Sequence, residues 1–153
     1  VCAIEVDDDF NEIDSFHAFI NPQRKVPWFV TRIHGLNNEF LDDKPIFSDI
    51  GRDLLLFLEG SELWAHNMSF DAGMLNAEFA RNRLPTLEKV DCRLNCTLQL
   101  ARSTFPGQKN SLDALLDRFA IDRSERRLHG AMIDTRLLVK VYQNLVSYRT
   151  KTS

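Results

Sequence analysis

Cysteine is scarce in this chain of 153 residues, and its count of three is odd, so no fully paired disulfide framework is available. Cys2, Cys92 and Cys96 are therefore expected as reduced thiols, in keeping with a cytoplasmic location. The C-x3-C spacing of Cys92 and Cys96 suits one helical face better than a zinc knuckle and offers half a metal site at most. Long apolar runs are missing too. The longest, Leu54 to Leu58, falls far short of the roughly 20 residues a bilayer span requires and is too short for a signal-peptide core, so neither a span nor a secretory address is expected. Charge of one sign is not in excess, with 19 Lys+Arg against 22 Asp+Glu and a net charge of -3. Such a chain exerts no global attraction on nucleic acid, and any polyanion would have to be held locally or through a metal ion. No repeat, low-complexity segment or interdomain linker interrupts the sequence. What is present, 44% hydrophobic and 27% charged residues, is the composition of one soluble globular domain, 1–153, with a sizeable core. The opening Val1-Cys2-Ala3-Ile4 is already apolar and strand-like, as if the chain were cut into rather than begun.

Val1 to Val6 and Ile13 to Ile20 read as strands joined by the polar segment Asp7-Asp8-Asp9-Phe10-Asn11, with Phe16, Ala18 and Ile20 on one face. Asn21-Pro22 ends the second strand, and a loop-rich stretch follows to Lys44 with one helical turn near Asn37 to Leu41. Pro45 sits at a helix start, and Phe47, Ile50, Leu54 and Phe57 recur at helical spacing until Gly60. Glu62 to His66 reads as a buried strand feeding a helix from about Phe70 to Asn82. Leu94, Leu98, Ala101 and Phe105 predict another helix closed by Pro106-Gly107, a short helix starts near Ser111, and a last one runs from about Gly130 to Tyr148. The sum is an α/β domain.

The last helix places Ala131, Asp134, Leu138, Val141 and Leu145 on one stripe, so a carboxylate lies among core-facing positions with no Lys or Arg beside it on that stripe. An unpaired buried carboxylate costs several kcal/mol, which makes a metal cation an attractive counter-charge. Alternatively, Asp134 sits at the edge of the stripe and stays hydrated. His129, next to Gly130, is placed either to exchange a proton near neutral pH or to serve as a loop or capping residue. The segment His66-Asn67-Met68-Ser69-Phe70-Asp71 lies at a strand-to-helix junction, where α/β proteins place ligands. Asp71 in a first helical turn has a dull use through the helix dipole, as Asn67 and Ser69 have as turn or cap residues.

His66-Asn67-x-x-Phe70-Asp71 and Leu128-His129-Gly130-Ala131-x-x-Asp134 together resemble the second and third motifs of the DEDDh 3'–5' exonucleases. Phe16-His17-Ala18-Phe19-Ile20-Asn21-Pro22, Ile33-His34-Gly35-Leu36, Asn38-Glu39-Phe40-Leu41-x-x-Lys44-Pro45 and Phe105-Pro106-Gly107-x-x-Asn110-Ser111-Leu112-Asp113-Ala114-Leu115 extend the likeness over nearly the whole chain in order. Within the family the resemblance is to its proofreading branch. It implies a ribonuclease H-like exonuclease fold, a mixed central sheet flanked by helices. It also implies 3'–5' hydrolysis at the 3' end of single-stranded DNA, with a DNA polymerase catalytic subunit as a partner. The family chemistry employs two divalent ions, Mg2+ or Mn2+, roughly 3.5 to 4 Å apart, which activate a water and stabilise the leaving oxygen. By resemblance, Asp71 and Asp134 are metal ligands and catalytic residues, His129 is the general base, and His34, His66, Asn67 and Phe70 shape the substrate groove.

The family's first motif, an Asp-x-Glu on the opening strand, has no counterpart here, and Glu5 and Asp7 fit the next strand and its hairpin tip instead. The resemblance therefore implies a fold without its first strand and two of four carboxylates. RNA 3'-end trimming, and a non-catalytic nucleic-acid-binding or polymerase-docking module, stay open as alternatives. Arg123, Arg126 and Arg127 form either a phosphate contact beside His129 or a solvated basic loop.

Overall fold

A computed structural model of the protein describes residues 1–21, 38–124 and 130–152. Two strands, β1 (Cys2–Val6) and β2 (Glu12–His17), pair antiparallel with Cys2 opposite His17 and a register shift between Glu5 and Val6. Asp7 closes their connection: its Oδ1 accepts the backbone N–H groups of Asp9 and Asn11, both at 2.9 Å. The bond from Asn11, more than any other contact, holds the Asp7 carboxyl below the usual range. Asp7, Asp8 and Asp9 are exposed, so this acidic run is a hairpin tip. β2 ends three residues before the expected Ile20, yet the alternation continues, with Phe16, Ala18 and Ile20 half-buried between exposed His17 and Phe19.

Helix α1 (Asn38–Asp42) is followed by α2 (Phe47–Leu58), which begins two residues beyond Pro45 and buries Phe47, Gly51, Leu54, Leu55 and Leu58. Its first turn is tied by Asp49, whose Oδ2 accepts the Ile46 N–H at 3.2 Å. Strand β3 (Glu62–Ala65) leads into α3 (Met68–Arg81), and after a 3-10 turn at Glu88–Val90 the chain forms β4 (Arg93–Cys96), parallel to β3 with Leu63 opposite Leu94. β4 corrects the expectation of a helix beginning at Leu94; α4 is confined to Thr97–Thr104. Four residues are too few to display a two-residue alternation, and Leu94, Leu98, Ala101 and Phe105 happen to satisfy the helical period across the strand–helix boundary. The same boundary separates the two cysteines. Cys92 precedes β4, buried with its Sγ 3.2 Å from the Leu58 carbonyl, and Cys96 ends it, so they share no helical face.

Helix α5 (Leu112–Arg118) starts at Ser111, whose hydroxyl accepts the Ala114 N–H at 3.1 Å, the N-cap that serine favours. Helix α6 (Ala131–Thr152) runs four residues beyond the expected end. Its buried stripe is Leu137, Val141 and Leu145; Ala131 is exposed and Leu138 only half-buried, a correction to the stripe read from spacing. One core gathers α2, α3 and the flanks of β3 and β4 around Leu54, Phe79 and Leu87, with Ala3, Phe16 and Ile20 of the hairpin packed against it. A second gathers α4, α5 and α6 around Ala101, Leu115, Leu116 and Val141. Tyr142 of α6 joins the two ladders, its ring 4.4 Å from Trp64 of β3 and 5.6 Å from Phe10 of the hairpin turn. Among the described residues no helix is long and apolar enough to cross a membrane.

Candidate functional site

The junction of β3 and α3 carries the motif residues His66, Asn67, Phe70 and Asp71. Asn67 adopts the left-handed conformation, φ 77° and ψ 61°, which asparagine tolerates better than most residues. Its carbonyl accepts the Phe70 N–H at 3.0 Å, so the first turn of α3 hangs from it, and the Ser69 hydroxyl donates to its Oδ1 at 3.2 Å. Met68 and Ala72 face the core while Phe70 is 61% exposed, and Asp71 between them is half-buried.

Burial pushes the Asp71 carboxyl above the usual range, outweighing the backbone hydrogen bond it accepts. A carboxylate that served only to satisfy the helix dipole would be shifted the other way. The cost of this charge leads to a stability prediction. The ionised form is disfavoured in the folded state, so Asp71→Asn raises the melting temperature of the metal-free protein at pH 7, and the gain disappears below about pH 4, where the carboxyl is protonated in folded and unfolded chains alike. Thermal unfolding at the two pH values checks it, and an unchanged or lowered melting temperature at pH 7 contradicts it.

Asp134 occupies the equivalent place in α6, in the first turn and half-buried, with its N–H bonded to the Gly130 carbonyl at 2.9 Å. It heads the stripe that continues through Leu137 and Val141, and the first turn of α6 is held at the start of β1 by a 3.6 Å contact between Cys2 Sγ and Met132 Sδ. Asp71 and Asp134 offer the hard oxygen donors that Mg2+ and Mn2+ prefer. Among the described residues, no group of three or more His, Cys, Asp or Glu side chains could hold a metal ion, so these carboxylates are donors without a complete cage. His129 and His34 lie outside the described residues, as do Arg126 and Arg127. Arg123 is engaged by carboxylates of α5, 2.9 Å from Asp117 and 3.4 Å from Asp113.

His66 stands apart from Asn67 and Phe70 in being turned inward. Its Nδ1 is 2.8 Å from the Thr97 hydroxyl and its Nε2 is 2.7 Å from the Asn110 carbonyl. Thr97 carries no signal in the sequence, and Asn110 stands out only as part of the segment from Phe105 to Leu115. Thr97 directly follows a strand the helical period concealed, and Asn110 precedes Ser111, where a capping role is the plainer reading.

A family model described as an exonuclease, of the RNase T type, matches residues 1–142. The DNA polymerase III subunit epsilon of Rickettsia conorii is 46% identical over 141 residues, covering 88% of this chain and 59% of that protein. The subunit of the same name from Pasteurella multocida is 39% identical over 137 residues, covering 90% and 54%. The chain thus spans a little over half the length of these relatives. Among solved structures, exonuclease X in complex with 5'-overhanging duplex DNA superposes with a TM-score of 0.68 at 25% identity over 95% of this chain and 80% of that one. Exonuclease I shares the fold, with a TM-score of 0.78 at 18% identity over 95% of this chain and 36% of that one. With motifs, fold and a family match across 142 residues in agreement, the chain belongs to the RNase T/DEDDh exonuclease family.

Proposed function

We propose that residues 1–153 form a single 3'–5' exonuclease domain that removes nucleotides from the 3' end of single-stranded DNA, in a proofreading setting beside a DNA polymerase catalytic subunit. The observation that carries this reading is the pairing, in one helical turn, of an exposed aromatic ring with a carboxylate raised by burial: Phe70 and Asp71. The ring offers a face on which an unpaired base can stack, and the carboxylate offers an oxygen donor beside it. Members of this family generally use divalent metals, and Asp71 and Asp134 are the residues that would hold Mg2+ or Mn2+. Bound there, the ions would polarise the scissile phosphate and lower the pKa of the attacking water. The sequence motif assigns His129 the proton of that water. DNA is favoured over RNA as substrate because the relatives are DNA polymerase III subunits and the exonuclease X structure holds DNA.

The base-stacking role makes Phe70 a measurable contributor to affinity. Phe70→Ala should weaken single-strand binding by about 1–3 kcal/mol, the usual worth of one base–aromatic stack, while the melting temperature stays close to wild type because so much of the ring is already in water. Fluorescence titration with a short oligonucleotide reads the effect, and unaltered affinity removes Phe70 from the groove. The function itself is tested with the full-length protein and end-labelled DNA and RNA strands of one sequence. Progressive loss of 3'-terminal nucleotides from DNA supports the reading. Preference for RNA moves the domain to 3'-end trimming, and binding without hydrolysis moves it to a docking module.

A further inference from the structure

We propose that His66 is a positioning residue: its neutral imidazole, protonated on Nε2, fastens the Asn67 turn to two neighbouring elements and so sets where Phe70 and Asp71 stand. This rests on the role given to Phe70 and Asp71 above. The tautomer follows from the partners. The Asn110 carbonyl 2.7 Å from Nε2 can only accept, so Nε2 carries the hydrogen, and Nδ1 then accepts from the Thr97 hydroxyl at 2.8 Å. Thr97 is fully buried and Asn110 is 6% exposed, so neither partner has water as a ready substitute.

The anchor is itself hydrogen-bonded on every side-chain atom that can be. Asn110 Nδ2 donates to the carbonyls of Phe105 and Gln108 at 3.2 and 3.1 Å, and its Oδ1 accepts from Arg118 at 3.0 Å. Arg118 also donates to the Lys109 carbonyl at 2.6 Å and lies 4.6 Å above the Phe105 ring. A second tie crosses at the same level, where the Met68 N–H donates to Cys96 Sγ at 3.4 Å. His66 is thus fastened to the β4–α4 boundary and the α4–α5 loop, and Met68 to the β4–α4 boundary alone, with left-handed Asn67 held between them and the first turn of α3 following directly. With both nitrogens committed, the ring has no proton to exchange with a substrate. Burial foremost, and the positive charge of Arg102 with it, disfavour the imidazolium and hold the ring below the usual histidine range, against the Asn110 carbonyl that favours its N–H.

The test compares the full-length wild type with His66→Ala and His66→Gln. A glutamine amide presents one acceptor and one donor at nearly the separation of the two ring nitrogens, so it can keep both bonds. Nucleotide release should fall about 10- to 100-fold in the alanine variant, the usual cost of losing an orienting partner, and return to near wild type in the glutamine variant at every pH. A glutamine variant as impaired as alanine, or alanine at the wild-type rate, overturns the proposal. A second readout is independent of activity. Ring nitrogen–proton correlations in the metal-free protein should show the Nε2–H tautomer of His66 persisting below the ordinary histidine titration, and the amide signals of Phe70 and Asp71 should move in alanine but not in glutamine. An Nδ1–H or freely titrating ring contradicts the clamp even if the protein hydrolyses nothing, whereas inactivity of the wild type with the expected ring signals faults the exonuclease reading alone.

Discussion

Asp71→Asn and Asp134→Asn should each abolish nucleotide release by the full-length protein while leaving its fold intact. Asparagine keeps the shape of the side chain and removes its charge, so a loss of this size points to a carboxylate needed as a cation ligand and not as a packing element. The two helical positions would not otherwise demand it. A stability change of the size a helix-terminal charge makes, about 0.3–1 kcal/mol in either direction, is far too little to extinguish a reaction in a folded protein. Single-turnover assays with excess enzyme read the chemistry, and thermal unfolding with and without Mn2+ reads the ligand role. Mn2+ should raise the melting temperature of the wild type by more than that of either variant. An equal shift in all three proteins excludes both aspartates from the metal site.

Much of the fold was legible because it follows from burial periodicity. Phe47, Ile50, Leu54 and Phe57 marked α2, and the alternation around Phe16 marked β2 even past the point where its ladder ends. β4 was hidden because Leu94 falls on the same helical spacing as Leu98 and Ala101 of α4, and only pairing with β3, a contact between residues about 31 apart in sequence such as Leu63 and Leu94, makes it a strand. In the site, Asp71 could be placed in a first helical turn from the sequence, but the burial that raises its carboxyl depends on tertiary packing. The spacing points to Asp134 for a charge strained by burial; at Asp71 the same strain comes from packing around the first turn of α3, which no single-helix pattern displays. His66 belonged to the recognisable motif, yet its inward orientation required Thr97 and Asn110, which come from 31 and 44 residues away.

His129→Ala should slow the hydrolytic step by roughly 10²- to 10⁴-fold, the usual contribution of a positioned acid or base, while single-strand binding survives. The assignment comes from the Leu128-His129-Gly130-Ala131-x-x-Asp134 motif. A histidine acting as a base must be neutral, so the wild-type rate should fall as pH drops through the histidine range and the variant should lack that limb. A capping histidine would behave otherwise, losing about 1 kcal/mol of stability with the rate of the folded enzyme nearly unchanged. An alanine variant with a near-normal rate and the same acid limb removes His129 from the mechanism.

The proposed function places a metal-dependent 3'–5' exonuclease site on Asp71 and Asp134. Its most direct test is release of the terminal nucleotide from a 3'-labelled single strand of DNA by the full-length protein, with Mg2+ or Mn2+ and again after chelation. One nucleotide at a time should leave from the 3' end, with release stopped by the chelator and restored by added metal. Release that continues undiminished in the chelator, or that begins at the 5' end, would contradict it.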